Sequence, residues 1–203
     1  MGIPGHRSDM PMLLPFSAVV LAAGHSSRMG RDKALLEIEG QPLWRRQRDV
    51  LVRAGAAEIF LSARPEQDWT RAAGAAGFSA VLHDALPSAG PLCGIVAAIE
   101  RAAHGHVAVV AIDLPRITAD WFAALGSQGA NGVGVVGRRA TFFEPLAAIY
   151  PREFLSLAWP ALAGGRVSLQ PLLAEAVTAG LLRAREITDD EAAQFENWNA
   201  PRE

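Results

Sequence analysis

Hydrophobic positions follow two alternating rhythms along this chain. Continuous apolar runs occur at Ala18 to Ala23, within Glu58 to Ala63 and from Val107 to Ile112. Such runs read as strands buried on both faces. Between the first two, Leu43, Trp44, Val50, Leu51 and Ala54 recur at helical spacing, with Gln47 on the same face. Pro42 suits the first turn of that helix and Gly55 ends it. Strand, crossover helix and strand make a βαβ unit, so segments 18–23 and 58–63 are expected to be parallel. A helix is expected over Gln67 to Ala76 and a short strand over Ser79 to Leu82. Pro91, after Gly90, starts a helix through Ile95, Ala98 and Ile99. His106 to Pro115 is the clearest central strand: six apolar residues, then Asp113, then a proline that stops it. Thr118 caps a helix over Trp121 to Leu125. A strand over Asn131 to Gly137 follows. Arg138 to Tyr150 reads as edge structure, because Pro145 cannot donate to a ladder. A helix is expected from about Arg152 to Leu162. The whole predicts an α/β fold: a mostly parallel sheet with helices on both faces.

Composition narrows this further. A chain of 203 residues, half of them apolar, suits one domain with a sizeable core. Residues 16–203 are expected to form it, and 1–15, with three prolines and two glycines, a flexible leader lacking the apolar core of a signal peptide. The net charge of −2 shows no basic surplus, which argues against a nucleic-acid partner. No apolar run is long enough to span a bilayer, so no membrane partner is expected. The single cysteine, Cys93, excludes an internal disulfide and fits a reducing, cytoplasmic setting. Buried packing suits it better than nucleophilic chemistry.

Candidate chemistry collects where strands end. The first apolar run opens at Gly24 into a small, polar, basic loop with Arg28, Arg31 and Lys33. Glycine lets backbone N–H groups turn around an anion while Arg and Lys supply charge, so the loop suits phosphate. The P-loop spacing and the Rossmann G-x-G-x-x-G are both absent. Asp84 opens a second loop before Gly90-Pro91-Leu92; by itself it reads equally as a turn aspartate. Asp113, at the carboxyl end of a central strand, lies where open α/β sheets bind ligands and offers a hard oxygen for Mg²⁺. Arg166 sits in a Gly-rich connection and suits either phosphate or solvent. Asn197 and Asn199 alternate, so in an extended segment both amides face one way.

The stretch Leu21 to Leu36, L-A-A-G-H-S-S-R-M-G-R-D-K-A-L-L, resembles the nucleotide signature of nucleotidyltransferases with a glycosyltransferase-A-like fold. Within that group the chain most resembles the molybdenum cofactor guanylyltransferases, over about Phe16 to Glu203. The Asp32-Lys33 pair, Asp84 with Gly90-Pro91-Leu92, Asp113 in its D-x-P setting and the Asn197-x-Asn199 ending all carry the likeness. The resemblance implies a Rossmann-like three-layer α/β/α nucleotidyltransferase domain. It implies transfer of GMP from GTP to the terminal phosphate of molybdenum-bound molybdopterin, with Mg²⁺ as cofactor. It further implies transient contact with proteins that deliver molybdopterin and mature molybdoenzymes. Under it, Arg28, Lys33 and Asp113 are catalytic, with Asp113 as the metal ligand. Leu21, Ala22, Ala23, Gly24, Arg28, Lys33, Asp84, Gly90, Pro91, Leu92 and Asp113 bind nucleotide, Asp84 reading guanine. Arg166, Asn197 and Asn199 fall on the pterin side.

Departures from the pattern keep alternatives open. Ala23 replaces the usual glycine and is more typical of related cytidylyltransferases. Glu144 precedes Pro145 where the family often has histidine, Val167 is inserted before Ser168, and Ala200 replaces a threonine. A molybdenum cofactor cytidylyltransferase, another NTP transferase, or a non-catalytic nucleotide-binding protein are the competing readings.

Overall fold

The computed structural model describes residues 15–24, 32–71, 77–83 and 90–198. The first apolar run forms β1 (Ser17–Leu21), with every residue buried. A 3-10 turn over Lys33–Leu35 and the antiparallel ribbon β2 (Glu37–Ile38) and β3 (Gln41–Pro42) lead into α1 (Leu43–Arg53). Next come β4 (Glu58–Ala63), β5 (Ala80–His83), α2 (Pro91–Arg101), β6 (His106–Ala111) and α3 (Ala119–Gly126). Thr118 caps α3, its Oγ1 accepting from the Trp121 N–H at 3.4 Å. The remainder is β7 (Gly134–Arg139), β8 (Phe142–Pro151), α4 (Leu155–Ala163), α5 (Leu169–Thr178), β9 (Leu182–Glu186) and α6 (Asp189–Ala192).

Among the described residues, seven strands form one sheet in the order β5-β4-β1-β6-β8-β7-β9. β1 pairs in parallel with β4 on one side and β6 on the other. Only β8 runs against its neighbours. From β1 the chain moves outward to β4 and β5, then returns to lay β6 on the opposite flank of β1. Connections leaving β1 and β6 on opposite sides open a crevice at their carboxyl ends, the place where sheets of this kind hold ligands.

Side-chain alternation along β1 assigns the two layers. Ala18, Val20 and Ala22 face a core built with Leu43 and Leu51 of α1 and Trp121 and Phe122 of α3. Val19 and Leu21 face a second core built with Leu92, Ile95 and Ile99 of α2, Ala158 of α4 and Leu173 of α5. The sheet is therefore the middle of three layers. Burial on both faces is why its central strands lack a polar alternate position. No helix among the described residues is long and apolar enough to cross a membrane.

The structure departs from the sequence expectation in two places. Arg138 to Tyr150 is not an edge: β8 lies inside the sheet, between β6 and β7. Its register against β7 shifts, Val135 facing Ile149 but Gly137 facing Glu144. Pro145 falls in the stretch left over by that shift, where a missing N–H breaks no ladder bond. Its carbonyl instead accepts from the Tyr150 hydroxyl at 2.8 Å. The strand expected from Asn131 begins only at Gly134, behind a turn closed by Ala130 and Val133. The helix expected over 67–76 is entered through a tight turn in which the Thr70 N–H donates to the Gln67 carbonyl at 3.0 Å, and its described residues 69–71 are helical. Residues 72–76 lie outside the described residues, as does all but the last residue of the expected leader.

Candidate active site

A cleft of about 350 Å³ opens over the carboxyl ends of β4, β1 and β6. Leu21, Ala22, Ala23 and Gly24 leave β1 along its wall, and Ser62 of β4 lies beside them. Ala111, Ile112 and Asp113 leave β6 along the facing wall. The Ile112 N–H donates to the Leu21 carbonyl at 3.0 Å, so the pairing of β1 with β6 continues one residue past the strands. The chain then turns, and Asp113 stands two residues beyond β6 with its carboxylate at the mouth.

Three residues hold that turn. The buried Gln47 of α1 donates from Nε2 to the carbonyls of Ala111 at 3.2 Å and Leu114 at 2.7 Å. Arg46 donates from Nε to the Pro115 carbonyl at 2.7 Å. From the end of the described chain, the Trp198 N–H donates to the Asp113 carbonyl at 2.9 Å. The backbone of residue 113 is thus fixed without use of its side chain.

Across the mouth, Lys33 enters from the 3-10 turn that follows the basic loop. Its Nζ lies 3.3 Å from Asp113 Oδ2, with both side chains mostly buried. The third wall is the start of α2, where Gly90, Pro91 and Gly94 line the cleft. Gly90 takes φ 62°, a conformation costly to other residues, and Pro91 occupies the first turn. No side chain of a described residue caps this turn. Its backbone donors and the positive end of the helix dipole therefore suit a negative ligand. Cation, carboxylate and helix start together could hold a polyphosphate accompanied by a divalent cation. One carboxylate is enough for such a cation: Mg²⁺ is commonly held by one or two carboxylates plus substrate phosphates and water. No larger cluster of metal-ligating side chains occurs among the described residues.

Of the nucleotide-side candidates, Leu21, Ala22, Ala23, Gly24, Lys33, Gly90, Pro91 and Asp113 share this one cleft. Leu92 does not line it: its side chain is fully buried in the core beneath α2. Arg28 and Asp84 lie outside the described residues. On the other side, Asn197 lines a separate cleft with Arg46, Pro115, Arg116 and Trp198. Asn199 lies outside the described residues. Arg166 is exposed in the turn before α5, 3.8 Å from Glu175, and lines neither cleft.

Sequence reasoning missed Ser62, Gly94 and Leu146 in the wall, and the docking of Trp198 under Asp113. Gly94 had a signal, as a glycine in the first turns of an otherwise apolar helix; the others had none.

Glu144 begins the inner part of β8, whose antiparallel course brings its early residues to the carboxyl end of β6. Burial raises its pKa above the ordinary 4.5, and no described side chain pairs with it. A carboxyl with a raised folded pKa weakens the fold as pH climbs past the unfolded value, and its cost vanishes where both states are protonated. Glu144→Gln is therefore expected to raise the melting temperature at neutral pH and to leave it unchanged well below pH 4.5. Equal gains at both pH values would assign the effect to packing.

Comparison with known proteins agrees with the geometry. Residues 18–180 match the family described as the MobA-like NTP transferase domain. A protein of Opitutus terrae named probable molybdenum cofactor guanylyltransferase is 39% identical over 188 residues, covering 91% of each chain. One of Xanthomonas euvesicatoria pv. vesicatoria, named molybdenum cofactor guanylyltransferase, is 34% identical and covers 95% of this chain and 94% of its own. Among solved structures, molybdopterin-guanine dinucleotide biosynthesis protein A from Archaeoglobus fulgidus superposes with a TM-score of 0.70. It is 20% identical and the match covers 92% of this chain and 93% of that one, a likeness of fold.

Proposed function

Since the chain belongs to the MobA-like NTP transferase family and is thus a nucleotidyltransferase, we propose that it transfers GMP from GTP to molybdopterin. The acceptor is the terminal phosphate of the molybdenum-bound pterin. One of its oxygens bonds to the α-phosphorus of GTP as the bond from that phosphorus to the bridging oxygen breaks, and pyrophosphate leaves. The observation that carries this reading is the Lys33–Asp113 pair at the carboxyl ends of β1 and β6, in a chain whose relatives are named guanylyltransferases.

The attacking phosphate is already ionised, so the reaction demands no general base. What remains is positioning and charge neutralisation. Lys33, with Arg28 from the basic loop, holds the triphosphate and offsets charge on the departing pyrophosphate. The start of α2 offers backbone donors to the same phosphates. Asp113 would hold Mg²⁺. A bound Mg²⁺ supplies positive charge to the reacting phosphate oxygens. Asn197, with Asn199, belongs to the acceptor side, where their amides suit a pterin edge.

Base choice tests the reading. Guanine offers N1–H and its 2-amino group to one carboxylate, and Asp84 is the residue assigned to receive them. Adenine and cytosine lack that pair, and a buried carboxylate left without its donors loses about tenfold or more in affinity. With molybdopterin as acceptor, wild type is expected to use GTP better than CTP. Asp84→Ala should narrow the ratio by at least about tenfold, mainly through GTP. Wild type preferring CTP would make the protein a cytidylyltransferase, the reading that Ala23 favours.

A further inference from the structure

We infer that Gln67 is a positioning residue for Lys33, through a single side-chain amide that fastens both ends of the phosphate loop. Gln67 lies in the tight turn after β4 and is 4% exposed. Its Oε1 accepts from the Arg64 N–H at 2.6 Å, which fixes the amide plane. Both donors of its Nε2 are then directed at the loop. One goes to the Ala22 carbonyl at 3.0 Å, where the chain leaves β1. The other goes to Asp32 Oδ2 at 2.5 Å, where the chain returns. Ala22 and Asp32 both line the cleft.

Asp32 passes the constraint on. Its Oδ1 accepts from the Ala34 N–H at 3.0 Å and so caps the 3-10 turn that carries Lys33. Its Oδ2 also accepts from Trp69 Nε1 at 2.9 Å. With three donors on its two oxygens, Asp32 has its charge satisfied by groups that belong to the fold. The lysine next to it in sequence is turned instead to Asp113 across the cleft. Holding Ala22 and Asp32 to one rigid amide fixes where the chain leaves β1 and where it returns with Lys33, before substrate arrives. Nothing in the motif that supplies Asp32 and Lys33 points to Gln67, which is distant in sequence and belongs to another strand connection.

The inference rests on Lys33 holding the triphosphate, and a double-mutant cycle separates the two. Gln67→Met keeps the shape and removes both donors; Gln67→Glu keeps the shape and turns an acceptor toward Asp32. In the full chain, calorimetry of GTP and of CTP with Mg²⁺ measures binding, and pyrophosphate release measures kcat and KM. Each variant is expected to weaken triphosphate binding about tenfold, the scale of stranding a buried charged acceptor. The loss should appear in KM as much as in kcat and be equal for the two nucleotides. In a Lys33→Ala background the same substitutions should change binding by less than about twofold, because coupled residues are not additive. Equal losses in both backgrounds, or none in the wild-type background, overturn the inference while leaving Lys33 its role. If Lys33→Ala alone leaves binding unchanged, the reading of Lys33 fails and the inference with it. Should Gln67→Met not fold, Trp69→Phe removes one donor to Asp32 and keeps the ring beside Trp44, with centroids 6.5 Å apart. A smaller loss, again absent with Lys33→Ala, is then expected; a loss that persists there overturns the inference.

Discussion

Asp113→Asn is expected to lower turnover by at least about a hundredfold, the scale of losing one electrostatic stabiliser in a reaction that depends on charge neutralisation. The substitution keeps the size of the side chain and removes its charge. The fold should not notice. The turn at residue 113 is held through backbone groups, by Gln47, Arg46 and Trp198, and none of these bonds uses the carboxylate. The side chain is also partly exposed, so its pairing with Lys33 adds little stability. Pyrophosphate release across a Mg²⁺ titration, beside a thermal melt, is the measurement. An unchanged melt with turnover that stays low at saturating Mg²⁺ is the expected result. Near-normal turnover at ordinary Mg²⁺ would remove Asp113 from the chemistry.

Gly94→Ala, a change of one methyl group, is expected to reduce catalytic efficiency on a similar scale. A Cβ at this position would stand 2.7 Å from Ser62 Oγ and 2.8 Å from Leu21 Cδ2, closer than real carbon contacts allow. Two adjustments are open, and both damage the site. Either α2 retreats from the sheet, taking Gly90 and Pro91 out of the cleft wall, or Leu21 and Ser62 rotate. Both of those side chains are buried on their other sides, so the cleft is the space left to them. A displacement of about 1 Å at a reacting site is enough for a hundredfold loss. The stability cost of an overpacked methyl group is smaller in consequence, about 1–3 kcal/mol. The expected pattern is a cooperative melt at reduced temperature and nucleotide affinity that falls for GTP and CTP alike. A melt lowered by that amount with unimpaired turnover would mean that the helix start is not part of the site.

Much of this architecture is legible without coordinates. Residues 18–22, 59–61 and 107–111 have no polar alternate position, and only a strand covered on both faces permits that. Three such strands joined by amphipathic helices leave little choice but a parallel sheet between helical layers, with loops gathered at the carboxyl ends. Gly24 with its basic loop, Gly90-Pro91 and Asp113 could therefore be assigned to one end of the sheet from their places after strands. Thr118 could be named as a cap because an N-cap is a local device. Here the determining interactions lie within a few residues of one another, or repeat along one element, and the sequence displays them directly.

Tertiary structure alone decided the rest, for the opposite reason. Whether Pro145 marks an edge or a bulge depends on how β8 slides against β7, a register fixed by strands on both sides. That Leu92 packs inward while its neighbours Gly90 and Pro91 face the cleft depends on the rotation of α2 over β1 and β4. Gly94 is required by Leu21 and Ser62, which belong to two different strands. Gln67 reaches Asp32 across a separation of 35 residues, and Lys33 reaches Asp113 across 80. A motif records which residues are present at a strand end. Only the packing of one strand connection against another determines which of them meet, and with which atoms.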